Sequence, residues 1–242
     1  MEAIRTVDLT KRYKNIVAVD KLNLSVDQGE IFALLGVNGA GKTTTVKMLT
    51  TLTRPSEGDA FIMGKSATKE PYEVKKFIDV SMQETAIAKN LSVSENLSFY
   101  ADICSIKKDE AQARISEIVE SFDFSSVLNK RAKTLSGGWQ RKLSIATALI
   151  SRPAVLFLDE PTLGLDVLAR RELWQMIEKL RGKTTIVLTT HYMEEAQALS
   201  DRIGIMKGGR LIAVDTANGF IKKTGADNFE DAFVSVIEKG GV

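Results

Sequence analysis

The chain has 242 residues, of which 33 are Lys or Arg and 31 Asp or Glu, a net charge of +2. That near-balance gives no general electrostatic reason to expect nucleic acid or an anionic membrane as partner, and 44% hydrophobic with 26% charged residues excludes wholesale disorder. One cysteine, Cys104, excludes an intramolecular disulfide and fits a reducing compartment, and one histidine, His191, excludes a multi-histidine metal site.

No apolar run approaches bilayer-spanning length, and the start Met1-Glu2-Ala3-Ile4-Arg5 carries no apolar signal core. The expectation is a protein made and kept inside the cell, reaching any membrane through a partner. Along the chain, Ile4–Leu9 reads as a strand, and Leu22, Leu24 and Val26 share one face of a second. Ile31–Leu35 is continuously apolar, as for a strand covered on both faces. A glycine-rich loop follows, then a helix predicted from Lys42 to Leu52 with Val46, Leu49 and Leu52 on one face.

From about residue 84 to 150 the pattern is mostly helical. Ser92-Val93-Ser94-Glu95 is a capping box, Ile115, Ile118, Val119 and Phe122 share a helical face, and Leu143–Ile150 reads as a third helix stopped near Pro153. Strands return at Val155–Leu158, Thr185–Thr189, Ile203–Met206 and Leu211–Val214. Asn228–Lys239 reads as a short amphipathic helix through Phe229, Phe233, Val236 and Ile237. Buried strands alternating with helices predict an α/β core with a helical insertion. Cys104 and the tail phenylalanines read as packing residues, and Lys130-Arg131-Ala132-Lys133 as a solvated loop.

Two segments carry chemistry. Gly36-Val37-Asn38-Gly39-Ala40-Gly41-Lys42-Thr43 matches the eight-position phosphate loop between a strand and a helix. Glycines let the backbone wrap phosphate oxygens, and the amides and helix N-terminus supply positive potential. Lys42 is placed for the β- and γ-phosphates, Thr43 for Mg²⁺ and Thr44 for the α-phosphate. Val155-Leu156-Phe157-Leu158-Asp159-Glu160-Pro161 then sets two carboxylates at the C-terminal end of a buried strand, the ligand-binding edge of α/β sheets. Asp159 is expected to hold Mg²⁺. Glu160, expected to face the other side of the strand, is placed to polarise the attacking water or take its proton.

With Leu135-Ser136-Gly137-Gly138 opening a helix just before that strand, the order of motifs resembles the nucleotide-binding subunit of an ATP-binding cassette (ABC) transporter, over roughly residues 1–220. The resemblance implies a P-loop NTPase core with a mixed sheet, an N-terminal antiparallel β-subdomain, a helical subdomain inserted at about 84–150, and a short C-terminal helical extension over 221–242. It implies ATP and Mg²⁺ as cofactors. Ser136, Gly137 and Gly138 match the signature that binds the γ-phosphate of ATP held by another subunit. Tyr13 matches the aromatic that stacks on adenine, Gln83 the lid glutamine that senses Mg²⁺ and the attacking water, and His191 the switch histidine. Asp166, in Leu163-Gly164-Leu165-Asp166, matches the aspartate that works across the dimer interface.

Trp139 stands where the family usually has glutamine, which several drug-export-type members replace by an apolar residue. Glu160–Asp166, with Arg170-Arg171 and Leu173-Trp174, and Thr190–Gln197 also resemble that branch. The implied machine is an ATP-driven homodimer at the inner face of the cell membrane, working a separate integral membrane permease in export of a drug, lipid or similar compound. A soluble assembly or translation ATPase of the same class is the alternative. Such relatives usually carry two cassettes or long coiled-coil insertions, whereas this chain has one motif set and no such heptads. No nucleic acid is expected as partner.

Overall fold

The computed structural model describes residues 1–241. In chain order, β1 (Glu2–Tyr13), β2 (Ile16–Leu22) and β3 (Ser25–Asp27) precede β4 (Ile31–Leu35) and α1 (Lys42–Leu49). β5 (Glu57–Ile62), β6 (Lys65–Ser66), α2 (Pro71–Val74) and β7 (Ile78–Ser81) follow. The inserted helices are α3 (Val93–Ile103), α4 (Lys108–Ser121) and α5 (Gly137–Leu149), with 3-10 turns at Phe124–Val127 and Ala132–Thr134. The chain ends through β8 (Val155–Asp159), α6 (Val167–Glu178), β9 (Thr185–Thr190), α7 (Met193–Leu199), β10 (Arg202–Lys207), β11 (Arg210–Asp215), α8 (Ala217–Thr224) and α9 (Phe229–Lys239).

β1, β2, β3, β5 and β6 form an antiparallel sheet. The second sheet has the order β11-β10-β4-β9-β8-β7, parallel except for the edge strand β11. Its central strands β4, β8 and β9 are buried at every residue, because each face covers a separate core. Ile31, Ala33 and Leu35 face the core shared with α3, α4 and α5, whereas Phe32 and Leu34 face the core under the antiparallel sheet. The C-terminal ends of β4, β8 and β9 therefore sit at one edge of a stiff, doubly covered sheet.

Several expectations need correction. α1 stops at Leu49 because Thr51 takes a left-handed conformation (φ 59°), which leaves Leu52 exposed rather than on the buried face. Leu22 ends β2 and Val26 lies in β3, with Leu24 in the link between the two strands, although all three side chains are buried. α5 begins at Gly137, where the signature was expected to open a helix, and the segment expected from Leu143 is the continuation of that one helix. Cys104 is exposed at the end of α3, not packed.

The Ser92 box forms as read. Ser92 Oγ accepts from the Glu95 amide, and the Glu95 carboxylate accepts from the Ser92 amide. The expected edge of the extension at residue 220 falls inside α8. Phe220 stacks obliquely on Phe229, centroids 6.1 Å apart, and both belong to the same core as the main sheet.

Candidate functional site

The phosphate loop leaves β4 and turns into α1 through two left-handed glycines, Gly39 (φ 81°) and Gly41 (φ 105°). A Cβ on Gly41 would lie 2.5 Å from the Ala18 carbonyl, and one on Gly36 2.5 Å from that of Met206. Neither backbone can recede, so close approach dictates both glycines, and at Gly41 the dihedral angle does so as well. Gly36 itself lies under the loop, and its carbonyl accepts from Lys42 Nζ at 2.7 Å.

Over the loop opens a cleft of about 660 Å³, lined by Tyr13, Ile16, Val17, Ala18, Asn38, Gly39, Ala40, Gly41, Lys42, Thr43, Thr44, Gln83, Glu160, Leu163, His191 and Gly208. Folding thus brings together residues from 13 to 208. Half-exposed Tyr13 offers a ring at the mouth, with Lys11 Nζ 5.0 Å from its centroid.

Asp159 ends β8 with Oδ1 accepting from Thr43 Oγ1 at 3.1 Å and from Thr189 Oγ1 at 2.5 Å. Its Oδ2 is buried and has no protein partner among the described residues. A buried carboxylate oxygen without a donor, beside a threonine hydroxyl, suits a hard cation carrying water and phosphate oxygens. No group of three or more His, Cys, Asp and Glu side chains is arranged to hold a metal among the described residues. Such a cation therefore needs the phosphates to complete its shell.

Glu160 does not face the other side of the strand as expected. It lies just past β8 in a left-handed conformation (φ 49°), its amide donating to the carbonyl and hydroxyl of Thr189. That turn breaks the strand alternation and sends the carboxylate toward the loop. Oε1 lies 3.3 Å from Lys42 Nζ and Oε2 2.8 Å from His191 Nδ1. An ionised carboxylate only accepts, so Nδ1 donates the hydrogen of that bond and Nε2 is the ring nitrogen left over.

Gln83 reaches the cleft from the segment after β7, and α5 fixes that segment. Ser81 and Ser144 hydroxyls are 2.9 Å apart, and the Arg141 guanidinium donates to the carbonyls of Met82 (2.7 Å) and Gln83 (2.5 Å). Burial pulls the Arg141 pKa down, opposed by the charges of Asp159 and Glu195.

Sequence reasoning missed Arg141 and Glu195. The signal was present in each case as a charge on an otherwise apolar helical face, Arg141 with Ile145 and Ala148, Glu195 with Leu199. Glu195 is fully buried, its Oε1 accepting from Trp174 Nε1 at 3.2 Å, and burial raises its pKa.

Ser136, Gly137, Gly138 and Asp166 are not brought to this cleft. Ser136 caps α5 by accepting from the Trp139 amide, and Asp166 caps α6 by accepting from the Ala169 amide. The two helix starts lie side by side: a Cβ on Gly138 would meet that of Ala169 at 2.9 Å. Trp139 turns into packing, tilted on Phe124 with centroids 5.6 Å apart and Lys142 Nζ 4.5 Å from its own ring. An apolar residue at this position is thus absorbed without touching the helix N-terminus.

The profile of the family described as ABC transporter matches residues 19–163, which hold the phosphate loop, the signature and the acidic strand end. The chain belongs to the ABC transporter family. It is 41% identical over 227 residues to the daunorubicin resistance ATP-binding protein DrrA3 of Streptomyces coeruleorubidus, covering 93% of this chain and 72% of that protein. It is 35% identical to the probable multidrug ABC transporter ATP-binding protein YbhF of Escherichia coli, covering 97% of this chain and 41% of that protein.

A solved ATP-binding subunit of an ABC transporter superposes with a TM-score of 0.85 at 26% identity, over 97% of this chain and 99% of that one. The ATP-binding cassette MJ0796, a dimer in a post-hydrolysis state bound to ADP and Pi, gives a TM-score of 0.77 at 25% identity, over 88% and 98%. The ABC subunit described here is therefore an ATP-binding subunit and an ATPase. Subunits of this family work with membrane permease components. No helix among the described residues is long and apolar enough to cross a membrane.

Proposed function

We propose that this chain powers export of an amphipathic drug or lipid through a separate integral membrane permease, at the inner face of the membrane. The relatives named for daunorubicin resistance support that cargo class, as does the human phospholipid-transporting ATPase ABCA3, 40% identical over 88% of this chain and 12% of that protein. The observation that carries the mechanism is the split of the motif residues. The cleft holds Lys42, Thr43, Glu160 and His191, while Ser136–Gly138 and Asp166 cluster elsewhere.

Two copies placed head to tail set the N-terminus of α5 of each against the cleft of the other. ATP then lies between them, its phosphates on Gly36, Asn38–Thr43 and Thr44, its adenine against Tyr13. Across the interface Ser136, Gly137 and Gly138 meet the γ-phosphate, beside Asp166. Thr43, Asp159 and Gln83 would hold Mg²⁺, which would supply positive charge against the phosphates. Glu160 takes the proton of the attacking water, and His191 holds Glu160 and faces the γ-phosphate. Loss of the γ-phosphate removes the shared contact and opens the pair, and Arg141 ties Gln83 to the helix that carries the signature.

The test is capture of the Glu160→Gln subunit, loaded with ATP, from gently detergent-extracted membranes of its own cell. Co-purification of a multi-span membrane protein at equal stoichiometry is the expected result. Recovery of soluble complexes, ribosomes or nucleic acid instead would overturn the reading.

A further inference from the structure

Helix α6 and the His191 loop are joined by a stack of side chains that the motifs leave unexplained. The Arg170 guanidinium lies 4.8 Å from the centroid of the Tyr192 ring. On its other neighbour, the Tyr192 ring lies against the His191 imidazole, centroids 4.1 Å apart at 39°. The imidazole continues the line to Glu160 at 2.8 Å, and Glu160 to Lys42 at 3.3 Å.

Local propensity does not account for Tyr192. It occupies the N-cap of α7 and makes no side-chain cap there, at a position where Ser, Asp or Asn is preferred. Its amide is held instead by Thr190 Oγ1 at 3.0 Å, which fixes the backbone from which the ring projects. Arg170 is partly buried, and its ion pair with well-exposed Glu194 is long, 3.9 Å. Solvent screens that pair, so the aromatic face is the firmer partner of the guanidinium.

One hydrogen bond to Glu160 anchors a single atom of His191 and leaves the ring free to swing about it. A stacked face removes that freedom and aims Nε2. We propose that Tyr192, backed by Arg170, is a positioning residue that sets the plane of the His191 imidazole. The proposal rests on the reading of Glu160 and His191 as the catalytic pair. The stack begins one helical turn from Asp166, whose carbonyl accepts from the Arg170 amide at 3.0 Å. The start of α6 is thereby tied to the catalytic pair of its own chain.

The experiment is steady-state phosphate release by the purified full chain, with thermal melting recorded for each variant. Tyr192→Leu is expected to lower kcat about tenfold with KM for ATP within about twofold, as misorientation of a catalytic group does. Arg170→Met should lower kcat in the same way. The double variant should be no slower than Tyr192→Leu alone, since both remove one device. Tyr192→Phe, which keeps the ring, should restore most of the rate.

Wild-type kcat in Tyr192→Leu, a loss confined to KM, or multiplying losses in the double variant would overturn the proposal. If Tyr192→Leu does not fold, Arg170→Met carries the test, and unchanged kcat in it overturns the proposal. His191→Ala and Glu160→Gln are run alongside. Full turnover in them defeats the catalytic reading, whereas their collapse with Tyr192→Leu unaffected defeats only the stack.

Discussion

Arg141 donates from both arms of its guanidinium to the consecutive carbonyls of Met82 and Gln83, at 2.7 and 2.5 Å, from the second turn of the helix that begins at the signature. Fifty-eight residues apart in sequence, Arg141 and Gln83 act as one piece (141 − 83 = 58). A planar fork suits two neighbouring acceptors, and an ammonium does not.

Replacing Arg141 by Met strands two part-buried carbonyls, which costs about 1–3 kcal/mol each when no water replaces the donor. The expected drop in melting temperature is roughly 4–24 °C for a chain of this size. Arg141→Lys should lie between Met and wild type. Thermal melting of the three proteins checks this, and equal melting temperatures would show that water satisfies both carbonyls.

Glu160→Gln should lower phosphate release by about 10²–10⁴-fold, the range for loss of a general base, while ATP still binds. Single-turnover hydrolysis and equilibrium nucleotide binding separate the two effects. Turnover near wild type would reassign the base.

The loop glycines should differ in their tolerance of a methyl group. Gly39 takes a left-handed conformation with nothing within 4 Å of an added Cβ, so Gly39→Ala costs only the dihedral strain, about 1–2 kcal/mol. Gly41→Ala adds a 2.5 Å collision with the Ala18 carbonyl and should cost at least about twice that. Urea unfolding of the nucleotide-free proteins gives both numbers.

Glu195 makes stability depend on pH. Burial raises its pKa; the hydrogen bond from Trp174 Nε1 acts against that, and the charge of Glu160 adds to it. A raised folded pKa means that the folded protein holds the proton more tightly than the unfolded chain. The contribution is complete in acid, below the ordinary carboxylate range, and declines as pH rises toward the folded pKa. Glu195→Gln removes that decline and keeps an acceptor for Trp174 Nε1. It should be more stable than wild type at about pH 8, with the margin shrinking toward about pH 4. Urea midpoints at the two values check it, and a less stable variant at the higher pH would mean that the site holds the carboxylate ionised.

The C-terminal helices belong to the core, with Phe229, Ala232 and Val236 buried on α9. Phe229→Ala should destabilise the chain by about 3–5 kcal/mol, as for other fully buried aromatics. Circular dichroism melting measures it, and a shift under about 2 °C would show the tail to be loosely attached.

What sequence made legible was local. The phosphate loop is a contiguous strand–loop–helix whose chemistry dictates residue type at fixed spacing, and the Ser92 box closes over three residues. α9 was readable because Asn228 caps it and one apolar stripe runs its length. α6 was not marked as a helix, since exposed Val167 and Leu168 blur the stripe of Leu173, Met176 and Ile177. The turn of Glu160 toward Lys42 was hidden because alternation along a strand predicts direction only while the strand lasts. The left-handed step is imposed by Thr189, a residue of another strand. Arg141, Glu195 and the Arg170–Tyr192 stack depend on partners brought close only by folding.

The Lys42 ammonium does not wait in solution for a phosphate. It is nearly sequestered, bonded to the Gly36 and Val37 carbonyls and paired with Glu160. A nucleotide arriving at the loop is thus a competitor, exchanging one anionic companion of that lysine for another, and its affinity is a difference between two attractions. The carboxylate proposed to prepare water for attack is the rival that a triphosphate would have to displace. Neutralising it should tighten the hold on nucleotide even before any effect on turnover is felt.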